Sequence, residues 1–136
     1  MRPLRRVLYW EDADRRFALT TKDDTARVTA AAALDPQAPR DLRVAGSEVS
    51  ARDLAAVMSG LSGRRFRPMR AGSLSGLARL IRVVRRLRPQ HGAVFPAWQG
   101  MQYLHNMFSG LAPSAPADNG RYPELRWTPV RDVLSR

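Results

Sequence analysis

The chain has 136 residues, about one domain by length and enough to bury a core, and its 44% hydrophobic and 26% charged content is that of an ordinary globular protein. It contains no Cys, which excludes disulfides, thiolate metal sites and thiol nucleophiles. Its formal net charge is +11, and 22 of the 23 basic residues are Arg, Lys22 being the one Lys.

A surface this basic attracts phosphates without specificity. An Arg-for-Lys skew beside many Ala is also what a GC-rich coding genome produces, so charge alone does not establish a nucleic-acid partner. The start, Met1-Arg2-Pro3-Leu4-Arg5-Arg6, leads into only four apolar residues before Glu11, too few for a signal-peptide core. No apolar run approaches the roughly 18 residues of a membrane span. A soluble cytoplasmic protein is the expectation.

Val7-Leu8-Tyr9-Trp10 and Phe17-Ala18-Leu19-Thr20 read as short strands around a charged turn over residues 11–16. Thr21 then caps a helix, with Asp24 at the capping-box position and Asp23 beside it at the positive end of the dipole. This helix is predicted to run through Val28 and the Ala30–Ala33 run to Leu34, stopping before Asp35-Pro36. The Asp pair has no His or further acid next to it, so capping is preferred to metal binding. Leu42-Arg43-Val44-Ala45 reads as a strand ended by Gly46. Ser50 caps the next helix, with Asp53 as its box partner, Leu54, Val57, Met58 and Leu61 on one face, and Gly60 and Gly63 closing it. Arg64 to Arg70, with Pro68 inside it, has the pattern of an edge strand.

Ser73 or Ser75 opens a helix that ends at Arg88-Pro89. Leu77, Leu80, Ile81, Val84 and Leu87 form its apolar face, with Arg79, Arg82, Arg85 and Arg86 crowding the other side. That Arg face is the best candidate for a phosphate or nucleic-acid surface, although no aromatics interleave with it as single-strand binding requires. Gly72-Ser73-Leu74-Ser75-Gly76 has only the letters of a nucleophile elbow. There is no Gly-x-Gly-x-x-Gly, no phosphate-binding loop and no His-Glu-x-x-His. His91 reads as a residue of an exposed turn.

Val94 to Phe108 holds four of the ten aromatic residues and two of the five Met. Pro96 suits its first turn and Gly110 a left-handed stop. On a helix Ala97, Met101, Leu104 and Phe108 share a stripe, with Trp98, Tyr103 and Met107 to either side, so it should be enclosed almost all round. The stretch from Ala112 to Gly120 reads as a mobile loop. Thr128-Pro129 should start a last short helix carrying Val130, Val133 and Leu134, with Thr128 as its cap.

Several of these pieces together resemble the second half of an atypical short-chain dehydrogenase/reductase. They are the helix start Thr20-Thr21-Lys22-Asp23-Asp24-Thr25-Ala26, the Leu42-Arg43-Val44-Ala45-Gly46 run, Ser50-Ala51-Arg52-Asp53-Leu54 and Gly63-Arg64-Arg65-Phe66. The tail, Val94 to Leu104 with Tyr122-Pro123 and Trp127-Thr128, is similar to the NmrA-like, isoflavone-reductase-like branch. The resemblance implies an α/β fold of helices with a few short strands, the C-terminal portion of an NAD(P)-binding Rossmann-like reductase. It implies residues 1–136 as a single partial domain, the substrate-side lobe, without the dinucleotide-binding half. It implies an NAD(P)-dependent oxidoreductase or epimerase-type parent acting on a small organic substrate. Phe95, Trp98, Met101, Gln102, Tyr103, His105 and Asn106 would then line the substrate pocket.

The family's Gly-rich turn is not in this sequence, and Tyr9, Tyr103 and Tyr122 have no Lys four residues on. The expectation is therefore a fragment, a product of a wrongly assigned start or a remnant, which alone neither binds NAD(P) nor catalyses. A partner chain or a dimer would cover the open face formed by Val28, Leu42, Val44 and the aromatic helix. A non-catalytic, dinucleotide-sensing regulator of the same branch is the alternative, and an Arg-rich nucleic-acid binder the third reading.

Overall fold

The computed structural model describes residues 5–89, 92–110 and 118–136. Four short strands and five helices follow in the order β1 (Arg6–Trp10), β2 (Phe17–Leu19), α1 (Lys22–Leu34), β3 (Ser47–Val49), α2 (Ala51–Ser62), β4 (Arg67–Gly72), α3 (Leu74–Leu87), α4 (Ala97–Ser109) and α5 (Val130–Leu134). β1 and β4 pair in parallel, Val7 opposite Pro68 and Tyr9 opposite Arg70. Parallel strands need a crossover, which the β2–α1–β3–α2 segment supplies. β2 and β3 form a separate antiparallel pair, Phe17 opposite Val49.

The predicted helix starts are present. Thr21 Oγ1 accepts the Asp24 N–H at 3.0 Å. Ser50 and Asp53 make a reciprocal capping box, and Gly63 ends α2 at φ +62°, where a side chain would be strained. Ser73 accepts the Gly76 N–H at 3.1 Å. β4 leads directly into this Ser73 turn but is mostly exposed, and the Ser73 hydroxyl is used as a cap rather than as a nucleophile.

Four local expectations are corrected. Leu42 to Ala45 is not a strand: no ladder satisfies its backbone, since the Asp118 carboxylate accepts from Arg43 N–H at 2.8 Å, the Asp118 N–H donates to the Arg43 carbonyl at 3.1 Å, and the Asn119 amide bonds both N–H and C=O of Ala45. The strand is the next segment, β3. Thr128 does not cap α5, because its N–H and hydroxyl both go to Asp24, at 3.0 and 3.1 Å. Pro129 therefore stands at the cap position, as Pro96 does for α4. Of the expected mobile loop, 112–117 lie outside the described residues, as does His91, while Asp118 and Asn119 are tied down by the bonds just given.

The core is small. Phe17, Val49 and Phe108 form its buried cluster, with Tyr9, Trp10, Leu19, Leu54, Leu74, Leu104, Met107 and Val130 packed around it. Phe108 meets Phe17 edge-on at 5.5 Å between ring centres and Trp10 at 5.8 Å, a geometry that adds to simple area burial. Gly46 marks a close approach: a Cβ there would lie 3.2 Å from the Leu19 carbonyl oxygen and 3.3 Å from that of Thr128.

The C-terminal segment straps across α1. Asp24, 2% exposed, receives Thr128 and the Arg27 guanidinium at one end of the helix. Asp35, at the other end, receives Arg121 Nε and Nη2 at 2.9 and 2.7 Å and the Tyr122 hydroxyl at 3.0 Å. Val28 is buried, and Leu42 and Val44 are half-buried. Of the face expected to lie open, Val28 is thus covered, whereas Leu42 and Val44 are covered only in part.

Candidate functional site

The perturbed carboxylates lie at the strap and at the start of α2, and each has a structural explanation. Burial pushes the Asp24 carboxyl up, but hydrogen bonds from the Thr128 N–H, Thr21, the Thr128 hydroxyl and Arg27 outweigh it and hold its pKa below the ordinary value. The Gln37 N–H, then Arg121 and Tyr122, hold Asp35 low. The Ser50 N–H and hydroxyl do the same for Asp53, and Arg52 for Asp14. Beside this strap, β2, the start of α1 and α5 border a mostly apolar hollow of about 360 Å³ with Lys22 at its edge. Its hydroxyls are all committed: Thr20 to Gly46, Thr21 to the α1 cap, Ser47 to the Val130 N–H and Thr128 to Asp24. Among the described residues no group of acids and histidines is placed to hold a metal ion.

The α3–α4 side is different. Nine arginines and no acid lie between Asp53 and Asp118, so this one stretch carries nine of the eleven net charges. A coding bias toward Arg explains the scarcity of Lys but does not segregate acids from bases along a chain. The ion pairs among the described residues are Arg16 with Glu48 and Asp53, Arg27 with Asp24, Arg52 with Asp14 and Arg121 with Asp35. None involves an α3 arginine.

On α3, Leu77 and Ile81 are buried and Val84 half-buried, whereas Leu80 and Leu87 remain 48% and 74% exposed. The apolar face is therefore narrower than its spacing predicts, because α3 packs chiefly against one neighbour, α4. α3 and α4 pack on each other, bringing Arg85 to Trp98 and Ala78, Ile81 and Arg82 to the same concavity as Gln102 and His105. These residues line a groove of about 220 Å³. The Arg85 guanidinium lies 5.1 Å from the centre of the Trp98 ring, and the indole N–H points to the Pro89 carbonyl at 3.4 Å. Gln102 donates to Asn106 Oδ1 at 3.3 Å. His105 Nδ1 is buried and has no hydrogen-bond partner, an uncommon state for a buried polar atom.

Of the residues expected at a substrate pocket, Gln102 and His105 line this groove, Trp98 makes a cation–π contact with one of its arginines and Asn106 holds Gln102. Met101 is half-buried on α4. Phe95 and Tyr103 stand apart from it, 79% and 59% exposed. The expected enclosure of α4 is thus one-sided among the described residues: Phe108 is buried in the core, but the opposite face is open. Arg82 and Arg85 complete the groove, and sequence reasoning kept them on a separate face. No spacing signal joins the two, since the nine-residue connection from Arg88 to Pro96 is longer than a helical-hairpin loop.

Among solved structures, the chain superposes on a crystal structure of isoflavone reductase with a TM-score of 0.64, over 95% of this chain and 42% of that one, at 17% identity. The two share a fold. The mixed α/β arrangement of five helices and a few short strands is that of the C-terminal part of the reductase, and the chain spans less than half of the reductase's length. No protein-family model matches the sequence, and no curated protein matches it.

A dinucleotide can be tested against the strand-to-helix turns present, since such turns hold a pyrophosphate when the helix N-terminus is free and glycine-rich. Three occur here, before α1, α2 and α3, and each is already closed by the chain. Thr21 and Asp24 occupy the first, Ser50 and Asp53 the second. At the third, Ser73 takes the Gly76 N–H and Glu11 takes the Leu74 N–H at 3.1 Å. Carboxylates at these positions repel an anion, so none of the three turns fits a pyrophosphate.

Proposed function

We propose that this chain is the substrate-side lobe of an NmrA-like, NAD(P)-dependent reductase-type protein, and that the α3–α4 groove faces its small organic substrate. The observation that carries the reading is the fold match to isoflavone reductase over 95% of this chain but only 42% of that structure. The turns closed by Thr21, Asp53 and Glu11 support a division of labour in which the nicotinamide cofactor is held by another segment or chain. In that arrangement NAD(P) supplies or accepts the hydride. The residues of this chain bind and orient the other reactant, with Arg82, Arg85 and Gln102 giving polar contacts over an apolar floor.

The test is to read the coding sequence immediately upstream of Met1 and express any in-frame extension with the chain. The reading expects a Gly-rich βαβ segment whose addition confers micromolar NADPH binding. An extension without such a segment, or one that leaves the longer product unable to bind NADPH, would overturn it. With the segment present, a downstream Lys favours an enzyme, and its absence a dinucleotide-sensing regulator.

A further inference from the structure

We propose that the α3–α4 groove binds a small organic oxyanion, a phosphate monoester or a carboxylate, with its acidic head on Arg82 and Arg85 and its apolar body over Ala78 and Ile81. This names the ligand class of the groove and rests on the reading above only for the groove's role, since the recognition is by this chain alone and involves no hydride transfer.

Four observations converge. Arg82 and Arg85 are three residues apart on one helix and both line the same concavity of about 220 Å³, a size suited to a single ring with one acidic group. No carboxylate neutralises them: α3 and α4 contain no acid, and the ion pairs among the described residues lie elsewhere. Arg85 is preorganised by a cation–π contact, its guanidinium carbon 5.1 Å from the centre of the Trp98 ring, whose N–H points to the Pro89 carbonyl at 3.4 Å. Less side-chain freedom is then lost on binding, and the fork of a guanidinium matches two oxygens of one anion. Finally, the Nδ1 atom of groove-lining His105 is buried without a partner, beside a Gln102 amide held by Asn106. A ligand whose entry turns the His105 ring toward the groove gives this nitrogen the hydrogen bond it lacks.

All four α3 arginines are exposed, but Arg79 and Arg86 do not line the groove; duplex DNA would engage the whole row, whereas a ligand seated in the groove depends on Arg82 and Arg85. A concave, partly apolar seat favours the small ligand.

The experiment titrates the isotope-labelled 136-residue chain with phenyl phosphate, benzoate, inorganic phosphate and a duplex oligonucleotide. Resonances of His105, Arg82 and Arg85 are followed, with thermal unfolding of every variant as a check on folding. Phenyl phosphate or benzoate should shift the His105 ring and the Arg85 side chain at low-millimolar concentration, and inorganic phosphate should bind more weakly. A phosphate monoester as the natural ligand predicts that phenyl phosphate binds more tightly than benzoate, and a carboxylate the reverse. Arg82→Gln and Arg85→Gln should each weaken binding by about tenfold, as expected for one lost charge-assisted contact, while Arg79→Gln leaves it unchanged. Arg85→Lys keeps the charge but not the fork, and should fall between wild type and Arg85→Gln. The proposal is overturned if neither aromatic anion shifts His105, if Arg79→Gln weakens binding as much as Arg82→Gln, or if only DNA binds and its affinity depends on Arg79 and Arg86. Failure of NADPH binding by the longer product would sink the reductase reading and leave these results untouched.

Discussion

Two helical faces of this molecule are built from opposite electrostatic logic. At α1, Asp24 and Asp35 grip a returning C-terminal segment, and the donors they attract come from residues as distant as Thr128 and Tyr122. At α3–α4, arginines face a groove with no carboxylate, and His105 Nδ1 has no partner. Satisfied polar groups hold a fold together, whereas uncompensated ones cost stability and persist where something else uses them. The comparison separates scaffold from site more clearly than pKa values do, since the shifted carboxylates all sit in structural clamps.

The largest expected effect comes where the two regions meet. Phe108 anchors α4 to Phe17 and Trp10, and Phe108→Ala should cost about 4 kcal/mol in denaturant unfolding, the usual cost of emptying a core aromatic site. A loss below about 1 kcal/mol would mean that α4 is not seated on that core. Asp24→Ala comes next, at about 3 kcal/mol, because it strands the Thr128 N–H and hydroxyl and frees Arg27. With the fold retained, it should not alter anion binding in the groove, and a parallel loss of that binding would break the proposed separation.

Acid should act on the strap and on the start of α2. Asp24, Asp35, Asp53 and Asp14 are all held below the ordinary carboxylate pKa in the folded state. Their contribution is complete above the unfolded value of about 3.9 and is lost as pH falls through the lower folded values. Thermal stability should therefore be flat from neutrality to about pH 5 and decline below about pH 4. Asp24→Asn should make that decline shallower, and an unchanged acid limb would remove Asp24 from the clamp.

The smallest effect is expected for the groove itself. Arg82→Gln with Arg85→Gln should change stability by no more than about 0.5 kcal/mol, with a slight gain as repulsion is relieved. A loss above 2 kcal/mol would make these arginines structural.

Much of the helical skeleton was legible because its signals are local. The Thr21, Ser50 and Ser73 caps, the Gly63 and Gly110 stops and the spacing of Leu77 with Ile81 act within one or two turns. Leu42 to Ala45 was misread because the groups that satisfy its backbone belong to Asp118 and Asn119, more than seventy residues away. Thr128 looked like a cap for the same reason, since Asp24 had already claimed its hydroxyl from across the fold. The groove was half visible: Gln102 and His105 were picked out on one helix and the arginines on another. Only the antiparallel packing of α3 on α4 brings Arg82 next to them.

The central claim is that this chain recognises an acidic small molecule at α3–α4 and leaves the dinucleotide pyrophosphate to another segment. A residue-resolved NMR titration of the 136-residue chain with NADPH tests both parts at once. The account predicts that any shifts are confined to Arg82, Arg85, Gln102 and His105, where the cofactor's phosphates act as simple anions, and that the turns at Thr21–Asp24, Ser50–Asp53 and Ser73–Gly76 stay unmoved. Saturable micromolar binding with shifts at one of those turns would contradict it.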